Sequence, residues 1–166
     1  PGATLALDAS VAQVWSDWSS QDPARRRGQV SLETSMVQVE FDPEHLRRVL
    51  VNLLDNALRY MGPEEDSLVV QTRTSPAGQT TLQVWSDGAP MDKSVERHLF
   101  EPFFSSESRS SGLGLYICRE LCQRHGASIS YQRTTPRVEK SVATHSPSRF
   151  AAPHAPWNLP RFSTRS

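Results

Sequence analysis

The sequence predicts an α/β fold, a two-layer sandwich in which a mixed sheet is covered by helices on one face. Three observations lead there. Short stretches of strand-like residues group around 30–41, 67–74 and 80–86. Two longer stretches, 43–61 and 113–125, carry apolar residues at helical spacing between and after those strands. The chain has 166 residues, enough for one domain with a core of its own.

The elements follow in order. Residues 5–18 place Leu5, Val11, Val14, Trp15 and Trp18 on a helical period, which predicts a first helix. The polar run SSQDPARRRG ends it. Val30 to Leu32 and Val37 to Phe41 read as two short strands, the second with Val37, Val39 and Phe41 on one side. Asp42-Pro43 predicts a helix start: an acid at the N-cap, proline at the first helical position, and Glu44 in the first turn. That helix extends to about Met61 and stops at Gly62-Pro63, with Leu46, Val49, Leu50, Leu53, Leu54, Ala57 and Met61 as its apolar stripe. Ser67 to Thr74 and Thr80 to Ser86 form a hairpin through SPAGQ. Leu113 to His125 is the last clear helix, with Gly126 suited to end it, and Ile129 and Tyr131 alternate in a final short strand.

Beyond Thr134 no period is visible, and Pro, Ser and Arg dominate. The composition predicts a poorly ordered or partner-binding tail over 134–166, behind a domain spanning 1–133. Formal net charge is zero, but residues 1–131 hold 12 Lys and Arg against 17 Asp and Glu, whereas 132–166 hold 6 against 1. The basic tail reads as solvated arginines, so neither nucleic acid nor membrane contact is expected of it. No apolar run reaches the roughly 18 to 20 residues that a transmembrane helix needs. Cys118 and Cys122, four apart, are no disulfide framework and suit a reducing compartment. Pro1 in place of an initiator Met suits an excised fragment.

Several short patterns carry candidate chemistry. Asn52 and Asn56 stand at i and i+4 on one helix face, with Arg48 and Arg59 on the same stripe. Asparagine is a poor residue for a helix interior because its amide competes for backbone hydrogen bonds, so the pair is either a solvated polar face or a site. In VWSDGAPM, Asp87-Gly88 follows a strand, either as a turn or as a carboxylate placed to accept a ligand's hydrogen bond. LFEPFF supplies core aromatics or a loop hinge, and a serine-rich run then meets Gly112-Leu113-Gly114-Leu115 at a helix start. Cys118, Cys122 and His125 share one helix face, but one helix offers poor tetrahedral geometry, and buried core thiols are the better reading.

Taken in order, these patterns resemble the ATP-binding catalytic domain of bacterial two-component sensor histidine kinases, of the nitrogen-regulation and pilus-regulation type. LRRVLVNLLDNALRY resembles the family's asparagine box and SDGAPM its first glycine box. LFEPFF resembles the phenylalanine box, and SSGLGLYICRELCQRHGASISY the second glycine box. The resemblance implies the histidine-kinase, gyrase and chaperone ATPase fold, with ATP and Mg²⁺ bound. It implies that Asp87 reads the adenine amino group, that Asn56 with Asn52 holds the metal against the phosphates, and that Arg59 and Tyr60 flank phosphate and ribose. Gly88, Ser110, Ser111, Gly112, Leu113, Gly114 and Leu115 would line the nucleotide, and the serine run would be a lid tethered by Phe103 and Phe104. Glycines at such a loop admit close backbone approach, and a helix N-terminus favours phosphate. Mg²⁺ takes oxygen ligands.

The chain departs from the family pattern in places. Ala89-Pro90-Met91 stands where two further glycines are usual, Ser110 where another is common, and Glu107 where relatives carry lysine, with Arg109 nearby as a substitute charge. The family's last sheet strand is not recognisable in the tail. None of His45, His98, His125, His145 and His154 lies in a phosphoacceptor-like context, and no P-loop pattern occurs. The resemblance therefore implies positioning and electrostatic catalysis, with the acceptor histidine on a separate dimerising domain and a response regulator downstream. It also implies the cytosolic part of a larger sensor, membrane-bound or not. Two rivals stand beside it: a degenerate nucleotide- or partner-binding module, and an ATPase that hydrolyses ATP for mechanical work, against which the short lid argues.

Overall fold

The computed structural model describes residues 3–60, 68–86, 93–102, 114–131 and 157–163. The elements are β1 (Thr4–Ala6), α1 (Leu7–Ser19), a 3-10 turn (Pro23–Arg27), β2 (Gly28–Leu32), β3 (Gln38–Glu40) and α2 (Pro43–Tyr60). They continue with β4 (Leu68–Thr74), β5 (Gln79–Ser86), α3 (Lys93–Glu96), α4 (Gly114–Arg124), β6 (Ser130–Tyr131) and β7 (Trp157–Ser163). A mixed five-stranded sheet has the order β2-β4-β5-β7-β6, and β1 pairs with β3 in a separate antiparallel ribbon. The β2–β4 pair is parallel and the others are antiparallel.

The period-2 and period-3.6 patterns meet in one core. Leu68 and Val70 of β4 and Leu82 and Val84 of β5 point to one face, where they join Leu46, Val49, Leu50, Leu53 and Leu54 of α2. Val11, Val14 and Trp18 of α1 and Cys118, Leu121 and Cys122 of α4 join the same cluster. The two-layer expectation holds. Val69 and Trp85, cross-strand partners on the other face, stand outside this cluster. Polar staples tie the layers. Asp8 of α1 accepts from the Thr34 hydroxyl, the Thr34 backbone N–H and the Thr72 hydroxyl. Trp18 donates its indole N–H to Asp55 at 2.8 Å, and the Arg25 guanidinium lies 4.8 Å from the same ring.

Asp42 starts α2 as expected. Its carboxylate accepts from the backbone N–H groups of Glu44 and His45, and the His45 bond is the foremost cause holding its pKa below the usual carboxylate value. At the end of α4, Gly126 has φ +75°, and the Gly126 and Ala127 N–H groups donate to Gln123 and Cys122. This is the paired bonding of a Schellman stop.

Two expectations change. Leu5 belongs to β1 rather than to the first helix, because Thr4 to Ala6 pair with Gln38 to Glu40 and the helix begins only at Leu7. The sheet is not short of a strand: Trp157–Ser163, inside the segment read from composition as a poorly ordered tail, inserts as β7 between β5 and β6. Pro160 hid it, since proline within a run argues against a strand. The register explains its tolerance: Leu159 pairs with Leu82 and Arg161 with Thr81, so Pro160 falls in an irregularity and has no ladder partner.

Candidate functional site

The apolar stripe of α2 fixes how the helix is rolled. With Leu46, Val49, Leu50, Leu53 and Leu54 fully buried, Asn52 and Asn56 fall together at the edge of the buried face, each half-buried. The two amides then differ. Asn56 Oδ1 is buried with no hydrogen-bond partner. Leaving such an oxygen unsatisfied costs about 1–3 kcal/mol, so it is poised for an external partner. Asn52 turns toward α4, with Nδ2 3.4 Å from the Gly114 carbonyl oxygen. The α2–α4 interface thus brings together Asn52 and Gly114, two residues that sequence reasoning put in one site, with Asn56 one helical turn further along α2.

The other expected residues are placed unevenly. Leu115, one residue into α4, packs half-buried against the core. Arg59 is exposed in the last turn of α2, and Tyr60 ends the helix. β5 ends at Ser86, so Asp87 comes directly after the strand. Asp87, Gly88, Ser110, Ser111, Gly112 and Leu113 lie outside the described residues, as do Phe103, Phe104, Glu107 and Arg109. Leu99 is buried and Phe100 packs against the core, so the first aromatic of LFEPFF is a core residue.

Beside Asn52, an open groove of about 410 Å³ runs along the first turns of α2 between Glu44, His45, Arg47 and Arg48. Arg48 is exposed, and Arg47 is tied to Asp17 at 2.9 Å. Sequence reasoning missed His45. Its Nδ1 lies 2.8 Å from His125 Nε2, and His125 also stacks on Phe41 with ring centroids 4.4 Å apart. Burial, then the neighbouring His45, push the His125 pKa below its ordinary value. No sequence signal links residues 80 positions apart.

The helix-face trio is no metal centre. Cys118 and Cys122 are free and buried, burial raises both thiols to about 12, and His125 turns to His45 instead. Among the described residues, no group of three or more His, Cys, Asp or Glu is arranged to hold a metal ion, and no helix is long and apolar enough to cross a membrane. An asparagine carbonyl oxygen is different chemistry: a neutral hard donor, which suits Mg²⁺ as one ligand among waters and phosphates.

Comparison with known proteins gives a consistent picture. A family model for histidine kinase-, DNA gyrase B-, and HSP90-like ATPases matches residues 41–149. The sensor protein kinase PilS of Pseudomonas aeruginosa is 36% identical over 117 residues, covering 66% of this chain and 22% of that protein. The sensory histidine kinase/phosphatase NtrB of Salmonella typhimurium is 31% identical over 121 residues, covering 66% of this chain and 34% of its own. The chain thus spans about a fifth to a third of the length of these relatives. Among solved structures, the nucleotide-free catalytic domain of histidine kinase ThkA superposes with a TM-score of 0.74 at 18% identity, over 98% of this chain and 96% of that one. The mycobacterial sensor histidine kinase MprB gives 0.73 at 20% identity, over 98% and 99%. These two likenesses concern the fold.

Proposed function

The chain belongs to the histidine kinase-, DNA gyrase B-, and HSP90-like ATPase family, as an ATP-binding catalytic domain of sensor histidine kinases, and from that premise we propose how its own residues act. It binds Mg·ATP and delivers the γ-phosphoryl group to a histidine on a separate dimerising domain, for relay to a response regulator. It works as the cytosolic part of a larger sensor. The observation that carries this reading is the buried, unpartnered Asn56 Oδ1, one helical turn along α2 from the Asn52–Gly114 contact.

In this reading Asn56 offers its carbonyl oxygen to Mg²⁺, and bound Mg²⁺ would neutralise phosphate charge. Asp87, next after β5, accepts from the adenine amino group and selects the base. The glycine-bearing start of α4 lies against the phosphates, where N–H groups without helical partners favour anions. Arg59 and Tyr60 serve the phosphate and ribose side. The chain's own task is then to hold and orient the nucleotide and to exclude water, which is most of what phosphoryl transfer asks of a protein.

Titration of the purified chain with ATP and GTP, with and without Mg²⁺, tests the reading. Saturable Mg·ATP binding is expected. Asp87→Asn should weaken ATP by about tenfold to a hundredfold, the size of a hydrogen bond to a charged group, and reduce the preference over GTP. Asn56→Ala should keep base preference and blunt the gain from Mg²⁺. One observation favours a second reading, a partner module without kinase activity: Ala89-Pro90-Met91 replaces two usual glycines. No binding at millimolar ATP by a folded sample would establish that alternative.

A further inference from the structure

The two asparagines of α2 share a face but not an environment. Asn56 presents a buried oxygen with no partner, whereas the Asn52 amide is already engaged. Its Nδ2 approaches the Gly114 carbonyl oxygen at 3.4 Å. Only the NH₂ end of an amide can face a carbonyl favourably, since the other end would oppose oxygen to oxygen. One turn along α4, the Cys118 thiol donates to the Val49 carbonyl of α2 at 3.7 Å. Two contacts therefore join α2 to α4, Asn52 to Gly114 and Val49 to Cys118, each between residues over 60 apart in sequence.

The atoms involved decide what the Asn52–Gly114 contact can do. Gly114 opens α4, and its carbonyl is the helical acceptor for the Cys118 N–H. A side chain that holds the Gly114 carbonyl therefore sets where the first turn of α4 sits relative to α2, and so relative to Asn56. Packing does not force glycine at 114, because an added Cβ there would lie an ordinary 3.7 Å from Asn52 Oδ1. The contact registers the two helices without crowding them.

We propose that Asn52 is a positioning residue. It acts through its N–H on the Gly114 carbonyl to fix the opening turn of α4 against α2, and it meets neither metal nor nucleotide. The proposal rests on the Mg·ATP reading for its consequence, though not for its geometry. Asn56 alone of the pair is then the metal-facing amide. The difference is one of donor against acceptor: Asn52 needs its N–H, and Asn56 needs its oxygen.

The isosteric carboxylate separates these roles, since aspartate keeps the oxygens and loses the donor. Hydrogen exchange of the Cys118 and Arg119 amides in the nucleotide-free chain is the first readout, with ATP affinity with and without Mg²⁺ as the second. Asn52→Asp should speed exchange at those amides by about tenfold, roughly one hydrogen bond, and should weaken ATP by a similar factor whether or not Mg²⁺ is present. Asn56→Asp should leave the exchange unchanged and alter only the Mg²⁺-dependent part of affinity. If Asn52→Asp fails to fold, Asn52→Ala removes the amide without adding charge and should give the same pattern. Unchanged exchange together with a loss confined to the Mg²⁺-dependent part would make Asn52 a ligand and overturn the proposal. If the parent chain binds no nucleotide, the functional reading fails, and the exchange result still decides the positioning role.

Discussion

Gly28 opens β2 beneath the Trp15 ring and beside β4. A Cβ added there would stand 2.7 Å from the end of that ring and 2.8 Å from the Leu68 carbonyl oxygen. The carbonyl is backbone in a paired strand and cannot give way cheaply. Gly28→Ala is therefore expected to destabilise the fold by about 1–3 kcal/mol, the usual range for forced overpacking, read as a lower urea midpoint. A midpoint equal to that of the parent chain would mean that Trp15 swings aside at no cost. Nothing in the local sequence marked this glycine, because Trp15 and Leu68 reach it from other parts of the chain. Asn56 was legible for the opposite reason. An amide one helical turn from another, beside a complete apolar stripe, runs against helix propensity and stands out without any structure.

Helix α4 docks on α2 at both ends, through Gly114 against Asn52 and through His125 against His45. The second contact makes the docking sensitive to acid. His125 faces Phe41 and His45, with Asp42 near it from α2 and Arg124 from its own helix. Burial is the largest cause of its lowered pKa, so the folded chain takes up that proton less readily than the unfolded chain does. This contribution to stability is whole above the ordinary histidine value near 6.5 and is lost progressively as pH falls below it. Asp42 acts in a separate window, below its ordinary value of 3.8, because its own pKa is lowered. Thermal melting from pH 7.5 to pH 5 should show a falling midpoint, with a shallower fall in His125→Phe, which keeps the stack on Phe41. Parallel curves for the two proteins would remove His125 from the account. The elements α2 and α4 were readable from apolar periodicity, an N-cap acid and a terminal glycine, all within a few residues of where they act. The His45–His125 contact was not readable, since it depends on how two helices cross.

At the scale of the whole molecule, β7 is the element that changes the picture. It lies between β5 and β6, so the sheet draws on the chain well past residue 133. A chain ended at residue 156 would leave β6 without its only partner strand among the described residues and β5 with an open edge. The shortened chain should melt at lower temperature and aggregate on heating, since an unpaired strand edge is a template for association. Light scattering during a melt, compared with the full chain, checks this, and an unchanged melting profile would mean that the β5 edge needs no cover.

The sequence by itself determined the two long helices, the hairpin and the family, because each of these is written in short-range chemistry. Periodicity sets which helix face is apolar, caps set where a helix starts and stops, and an ordered set of boxes needs no coordinates. Those same local rules placed Asn52, Asn56 and Gly114 in one candidate site. Tertiary structure alone decided what the two asparagines do there. Side by side on α2 they are chemically identical, and only the folded chain shows the Asn52 amide occupied by α4 and the Asn56 oxygen buried without a partner. It also decided that Trp157–Ser163 is a strand. A strand between two neighbours is stabilised by ladder bonds to segments distant in sequence, and that pairing outweighed the local penalty of Pro160, which the irregular register leaves without a partner to disappoint.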